Sequence, residues 1–249
     1  MSFFIIFILF LTGVLAGFIN TIAGGGSTLT LPVLILAGIP SVAANATNRI
    51  GILFQNIMAT SRFHHHRQLN IKPIVHITIA AVLGSILGSL TAVNIRSEVF
   101  DKILAGIFLF ILVVMFIPKP NLQKRKLPKA IEFLIFFFIG IYGGLIQAGV
   151  GFIFLATLNL VGNFNLVKAN AVKVFIVLCY TIIAVIIFAL SKKIVWVYGL
   201  ILALGTSLGA FIGVHTAVKG GEKAVKIVLT IAVVAASLKL LGIIQIPTF

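Results

Sequence analysis

Long apolar runs that carry few charges occupy most of this 249-residue chain. A helix needs about 20 such residues to cross the roughly 30 Å hydrocarbon layer of a bilayer. Hydrophobic residues make up 61% of the chain and charged residues only 9%, which lies outside the usage of soluble domains. We predict an all-α polytopic membrane protein with about eight transmembrane helices, within a range of about seven to nine. The predicted spans are residues 3–22, 41–60, 73–93, 99–117, 130–151, 168–190, 194–215 and 223–244.

Two further apolar pieces are too short to cross a bilayer, and a glycine cluster precedes each of them. Residues 28–38 follow the glycines at 24–26, and residues 152–162 follow those at 149–151. Non-helical backbone is tolerated at membrane depth only where it faces a cavity or other protein. Interrupted segments at corresponding places of two halves mark transport sites. The two pieces therefore predict half-helices or re-entrant segments of a transporter.

A weak internal repeat relates the two halves of the chain. Three motifs recur in the same order, which favours duplication: Gly17 and Asn20 match Gly144 and Gln147, residues 44–48 match 169–173, and residues 84–88 match 205–209. We predict a first transmembrane repeat over residues 1–117, a basic, proline-rich linker over 118–129 and a second repeat over 130–249. Four crossings in each half make the repeats parallel, whereas a crossing by one of the short pieces makes them inverted.

Basic loops predict the orientation, because cytoplasmic loops carry an excess of Lys and Arg. Such loops lie at residues 61–72, at the linker and at residues 192–193. An even number of predicted crossings separates them, so all three are expected on the cytoplasmic side. Lys219, Lys223 and Lys226 would then lie outside, against the rule.

The first glycine cluster has the properties of an anion site. Three adjacent glycines leave a ligand room and permit unusual backbone conformations, and Ser27 or Thr28 can cap the helix that follows. The N-terminus of a helix attracts anions through its free N–H groups and its dipole. The alternative is close helix packing, but packing interfaces prefer glycines four apart. The pairs at 84 and 88 and at 205 and 209 have that spacing, so we expect those four to pack helices.

Polar side chains inside apolar runs are costly unless they find partners or face water, so each is a functional candidate. Asn45, Asn48 and Arg49 lie three and four residues apart and thus on one helical face, and Asn170 and Lys173 repeat the arrangement. Two cations with amide donors suit an anion that carries several oxygens. Alternatively, the cations snorkel to an interface and the amides join helices. The candidate substrate-binding residues are Asn20, Gly24, Gly25, Gly26, Ser27, Thr28, Asn45, Asn48 and Arg49 in the first half, and Gln147, Gly149, Gly151, Asn170 and Lys173 in the second.

Other site chemistry is not predicted. The four acidic residues fall in or near breaks between the runs, so proton coupling would have to use His76, His215 or the substrate itself. The tract at His64–His66 has no Cys, Asp or Glu close in sequence, so we expect no metal there. We expect no cofactor, and no enzyme, because no set of nucleophile, base and acid is visible. Nucleic acid is not an expected partner, since the basic residues sit between spans.

Several of these motifs together resemble the sulfite exporter TauE/SafE family, also called the 4-toluene sulfonate uptake permease family. They are the glycine cluster after the first run, the stretch Ala44-Asn45-Ala46-Thr47-Asn48, the histidine-containing loop and the GxxxG of each half. The resemblance covers nearly the whole chain. It implies a duplicated polytopic fold and transport of sulfur-containing anions such as sulfite, sulfonates or sulfoacetate. Ile22 replaces the first glycine of the family's G-x-G-G-G pattern, and the second-half copy at 149–152 is degenerate.

We therefore expect a secondary transporter of a small, sulfur-containing anion in the inner membrane of a prokaryote. Access to the site would alternate as one repeat moves against the other. The expected partners are the anion and the lipid bilayer, with a homo-oligomer left open. Two alternatives remain: a passive anion channel, which shows no saturation at low substrate and no counterflow, and a non-transporting membrane assembly factor, which responds to no ligand.

Overall fold

Residues 3–116, 127–161 and 164–240 are described by a computed structural model, and every regular element in these ranges is helical. The all-α prediction is therefore confirmed. The helices are α1 (Phe3–Ile22), α2 (Ser27–Leu36), α3 (Ser41–His65), α4 (Val75–Asn94), α5 (Ser97–Phe116), α6 (Lys129–Leu145), α7 (Val150–Val161), α8 (Leu166–Leu190) and α9 (Trp196–Leu240), with a 3-10 turn at Lys72–Ile74.

Four segments in the described ranges are long and apolar enough to cross a membrane: Phe4–Ile22, Lys72–Asn94, Leu166–Leu190 and Trp196–Gly220. As predicted, α2 and α7 are short apolar helices. The predicted break between residues 215 and 223 is wrong, because α9 runs through it as one helix. Most of the predicted linker, at 118–126, lies outside the described ranges, as do residue 117 and residues 241–244 of two predicted spans.

Glycines bring α1 and α9 into close, parallel contact. A Cβ atom added at Gly205 would collide with the carbonyl oxygen of Phe10, and one at Gly209 with that of Val14. Both partners advance by four residues in the same direction, so the two helices are parallel. The expected packing role of this glycine pair is confirmed.

The same contact recurs between α4 and α6. A Cβ atom at Gly84 would collide with the carbonyl oxygen of Phe137, and one at Gly88 with that of Ile141. These helices are also parallel and nearly touch through their backbones. The second glycine pair therefore packs helices as well.

Two contacts show that α3 also runs parallel to α9. The Val195 N–H donates to Thr47 Oγ1 at 3.0 Å near the start of both helices. Farther along, the Arg62 guanidinium lies over the Phe211 ring, 4.6 Å from its centroid. Since α1 and α3 are both parallel to α9, the intervening α2 must run back between them.

Helices α1 and α2 form a hairpin that stops short of one end of the bundle. Gly26, before α2, lies against Asn20 in the last turns of α1. Gly17 of α1 and Gly51 of α3 both lie against Thr206, yet α1 ends at Ile22 while α3 continues to His65. At 1.5 Å per residue, α1 stops about 14 Å before the end of α3.

Helices α6 and α7 form a second hairpin, which enters from the opposite end. Asp101, at the start of α5, accepts a hydrogen bond from Ser41, at the start of α3. The short turn before α5 therefore places the end of α4 beside the start of α3, and α4 is antiparallel to α3. Because α6 is parallel to α4, the second hairpin points against the first.

This topology corrects the predicted orientation of the loops. Lys192 and Lys193 precede α9, at the end of the bundle where α3 starts, whereas the loop at 61–72 follows the end of α3. The prediction was wrong because residues 130–151 were counted as a full crossing, while the second hairpin returns to the end from which it entered. Lys219 consequently lies at the same end as the loop at 61–72.

The two ends of the bundle differ in charge. One end, called the basic end here, carries Arg62, Arg67, Lys72, Lys129, Lys168 and Lys219, offset by Glu132. The opposite end carries Arg96, Lys102, Lys192 and Lys193, offset by Glu98 and Asp101. The positive-inside rule therefore assigns the basic end to the cytoplasm.

Cysteine labelling tests this topology. In a Cys179→Ser background, Lys72→Cys should react with a membrane-impermeant maleimide in inside-out vesicles, and Lys192→Cys should react in intact cells after outer-membrane permeabilisation. The two positions lie at opposite ends, so each should be protected in the other preparation. Labelling of both from one side would contradict the helix directions given above.

Glycine substitution tests the close packing. Gly88→Val should lower the melting temperature of the purified protein markedly, because the new side chain meets the backbone of α6 and overpacking costs about 1–3 kcal/mol or more. Gly106→Val is the matched control, since a Cβ atom there has no neighbour within 4 Å. Equal melting of the two variants would contradict the parallel glycine contact.

Candidate functional site

The tips of the two hairpins meet inside the bundle. Gly24 has a φ of +97° and Gly149 a φ of +71°, a region that favours glycine. A Cβ atom at Gly24 would lie 2.6 Å from the Cα atom of Gly151. The structure thus brings the two predicted glycine clusters into direct backbone contact, and only glycine fits there.

The C-terminal end of α6 is held by α3. Asn45 Nδ2 donates to the Leu145 carbonyl at 2.9 Å, and Arg49 Nη2 donates to the Gly144 carbonyl at 2.6 Å. Arg49 Nη1 also donates to Gln147 Oε1 at 3.2 Å. The last carbonyls of a helix have no partners within it and carry partial negative charge. Ser89 Oγ also donates to the Gly144 carbonyl at 3.3 Å, and Arg49 adds the only cationic donor that this buried helix end receives among the described residues.

The C-terminal end of α1 is held in the same way by α8. Lys173 Nζ donates to the carbonyls of Asn20 at 2.7 Å and Thr21 at 3.1 Å. Its third contact is Asn170 Oδ1 at 2.7 Å, which completes the three donors of an ammonium group. Each hairpin thus receives a cation from a long helix of the other half.

Neither cation snorkels to an interface. The exposed fraction is 0% for Arg49 and 2% for Lys173. Burying a charge is costly unless it is paired, and here the partial charges of helix ends serve as partners. From the sequence, we considered ligand contact and snorkelling for these two cations. Pairing with the C-terminal ends of helices is a third role, which the sequence did not predict.

The N-terminal end of α2 stays open. No side chain caps it, and Thr28 Oγ1 donates to the Gly25 carbonyl at 2.7 Å instead; Ser27 begins the helix. The expected capping by Ser27 or Thr28 was therefore wrong. Gly26 N–H contacts Asn20 Oδ1 at a long 3.4 Å. The Thr28 and Leu29 N–H groups donate to the Gly25 and Gly26 carbonyls at 3.1 and 3.0 Å, so the α2 dipole, rather than a set of free N–H groups, would favour an anion here.

Several buried polar atoms around the tips have no hydrogen-bond partner. Asn48 Oδ1 accepts from Thr30 Oγ1 at 2.7 Å, but Asn48 Nδ2 is unpaired, as are Arg49 Nε and Asn170 Nδ2. The unpaired acceptors are Thr21 Oγ1 and Asn45 Oδ1. Buried polar groups are nearly always satisfied, and an unsatisfied one costs about 1–3 kcal/mol. These atoms mark where a polar ligand or water is required.

Carboxylates lie away from the hairpin tips among the described side chains. Asp101 pairs with Ser41 at one end. Glu132 pairs with His76, Oε2 to Nε2 at 2.7 Å, at the basic end. His76, a candidate for proton coupling, is therefore remote from the site. The surroundings of the tips are electropositive.

Sequence reasoning missed the aromatic residues of the site. Tyr180 exchanges hydrogen bonds with Gln147 at 2.9 and 3.1 Å, and the Phe188 ring lies 5.0 Å from the Arg49 guanidinium carbon. Tyr180 lies seven residues after Lys173 and so on the same helical face, which was the available signal. Gln147 is 3% exposed, whereas its counterpart Asn20 is only partly buried. The two halves of the site thus differ in accessibility.

Removing one buried cation tests its role at the helix end. Lys173→Met leaves the last carbonyls of α1 without donors, and hydrogen bonds to charged groups contribute about 1.5–3 kcal/mol each. We expect a melting temperature several degrees lower in detergent. Lys193→Met, an exposed lysine, is the control. A Lys173→Met protein that melts like this control would contradict the proposed pairing.

Comparison with known proteins places the chain in a family. A profile described as sulfite exporter TauE/SafE matches residues 9–240. A probable membrane transporter protein, ORF9, of Sinorhizobium sp. is 30% identical over 97% of this chain and 94% of its own length. A probable membrane transporter protein of Haemophilus influenzae is 33% identical over 88% of each chain, and the probable membrane transporter protein YfcA of Escherichia coli K12 is 30% identical over 94% of this chain and 88% of its own.

No solved structure matches the chain significantly. The family match covers most of the residues, and the named relatives align over nearly their whole length with this chain. Apolar helices long enough to cross a membrane agree with that match. The chain belongs to the sulfite exporter TauE/SafE family and is an integral membrane transporter.

Proposed function

We propose that this protein is a secondary transporter that moves a small, sulfur-containing anion such as sulfite, a sulfonate or sulfoacetate across the inner membrane of a prokaryote. The observation that carries the proposal is a set of buried N–H donors without partners on α3 and α8, the two helices that hold the hairpins: Asn48 Nδ2, Arg49 Nε and Asn170 Nδ2. They lie in an electropositive interior. A ligand with several acceptor oxygens would satisfy them.

Charge favours an anion over a cation or a neutral molecule. The basic side chains of Arg49 and Lys173 face the partial negative charges of two helix ends and no carboxylate. A helix end carries about half an elementary charge, so the site keeps an excess of positive charge. A bound anion removes that excess without a buried carboxylate.

The substrate-binding set divides by role under this proposal. Lys173 has all its donors engaged and holds α1, whereas Arg49 keeps Nε for the ligand. Asn45, Gln147 and Asn20 position the hairpins and line the site. The glycines at 24–26 and at 149 and 151 let the ligand approach the backbone. Ser27 and Thr28 lie beside the ligand, in the first turn of α2.

The proposed mechanism is alternating access between two inverted repeats, at residues 1–117 and 130–249, joined by the linker at 118–129, with about eight membrane-embedded helical segments in all. Reciprocal contacts support the duplication: α1 packs on α9 as α6 packs on α4, and each buried cation reaches the hairpin of the other half. The helices group as α1, α3 and α9 against α4, α6 and α8, so each of the two groups that would move contains helices of both repeats. Arg49 and Lys173 join these two groups, so their hydrogen bonds must rearrange when the groups move.

Transport by purified protein in proteoliposomes tests the proposal. We expect saturable uptake of sulfite, a sulfonate or sulfoacetate, and counterflow when the lumen is preloaded. Asn48→Leu and Asn170→Leu should each raise KM about 10-fold or more, because each removes a candidate substrate donor together with the oxygen that accepts from Thr30 or Lys173. Asn94→Leu is the matched control, because this asparagine is exposed at the end of α4 and bonds only within its own helix.

Other outcomes would replace the proposal. Flux that neither saturates nor shows counterflow would make the protein an anion channel. No transport, together with no thermal stabilisation by any of these anions, would favour a membrane assembly factor. Unchanged KM in both asparagine variants would place the substrate elsewhere.

A further inference from the structure

A polar cavity lies at the basic end, apart from the hairpin tips. It has a volume of about 420 Å³ and lies between the loop that follows α3 and the start of α8. Its polar lining consists of Arg67, Gln68, Asn70, Asn165 and Lys168, and Val172 lies at its inner side. No carboxylate lines it. Two cations and three amides offer many donors and no negative charge, which suits an oxyanion.

The backbone holds Arg67 at this cavity in a conformation that favours glycine. Its φ is +54°, and it ends α3 with the N–H of Gln68 bonded to the Phe63 carbonyl at 3.0 Å. Helix ends of this type usually use glycine. Lys192 ends α8 in the same way, with a φ of +52°, but it lines no cavity described here. Lys192 is therefore a natural control for Arg67.

The cavity and the candidate site share helix α8. Lys168 and Val172 lie four residues apart on one face of α8, and Val172 is followed directly by the buried Lys173. The start of α8 is already capped, since Asn165 Oδ1 accepts from the Lys168 N–H at 2.8 Å. The side chains of Arg67 and Lys168 thus remain for a ligand.

We propose that this cavity is an entry site, in which Arg67 and Lys168 hold a small oxyanion on the cytoplasmic side before it reaches the hairpin tips. The inference rests on the proposed anion transport. Clefts lined by one sign of charge raise the local concentration of an opposite ion. The cavity should therefore act on apparent affinity from one face and leave the maximal rate unchanged.

Sided transport measurements test the entry site. Arg67→Gln with Lys168→Gln should raise KM about 10-fold for sulfite offered at the basic end and leave kcat, and KM from the opposite face, unchanged. Arg67→Lys with Lys168→Arg should restore the wild-type KM. The control, Lys192→Gln with Lys193→Gln, removes the same charge from the opposite end and should leave KM at the basic end unchanged.

The results that would contradict the entry site can be told apart from those that would contradict the proposed function. Wild-type protein that transports no anion would overturn both the proposed function and the entry site. Normal transport with an unchanged KM in the glutamine variant, or an equal change in the control, would overturn the entry site alone. So would a KM effect seen only in vesicles containing phosphatidylglycerol and absent in pure phosphatidylcholine, because the cavity would then hold a lipid headgroup.

Discussion

The architecture depends on two helix ends that are buried and would be unpaired without help from elsewhere in the chain. A hairpin that turns back inside a membrane protein leaves carbonyl groups where no water can reach them. Here each set of carbonyls receives a cation from a long helix of the other half, Arg49 for α6 and Lys173 for α1. The same contacts stabilise both hairpins, satisfy two buried charges and fix where the tips meet.

Close packing by glycine makes this arrangement geometrically feasible. The parallel pairs α1 with α9 and α4 with α6 approach until carbonyl oxygens of one helix occupy the space of absent Cβ atoms on the other. In a bilayer, where lipid is as apolar as leucine, such contact and interhelical hydrogen bonds are what hold helices together. The tips of the two hairpins also meet through close backbone contact, at Gly24 and Gly151. The hairpin tips thus meet through backbone, while the side chains of Tyr180 and Phe188 lie beside Gln147 and Arg49.

Much of this could be predicted from the sequence. Long apolar runs predicted the helices, short apolar runs predicted α2 and α7, and GxxxG spacing predicted the packing glycines. Each of these signals depends only on residues that are near one another in the sequence. Helix direction is not local: one apolar run of 20 residues reads as a crossing whether or not the chain turns back. Lys192 was therefore placed at the wrong end. The role of Lys173 was also hidden, since its partners Asn20 and Thr21 lie far away in sequence. Tyr180 was missed because an aromatic residue in an apolar run ordinarily indicates packing.

The pairing of α1 with α9 has a consequence for how the protein is made. The glycine face of the first helix fits only the last long helix, and Lys173, which holds its buried end, also follows more than 150 residues later. During synthesis the first hairpin therefore enters the membrane long before its partners exist. The first hairpin can reach its final packing only after α8 and α9 have been synthesised. Neither half of the chain therefore forms a complete structure on its own.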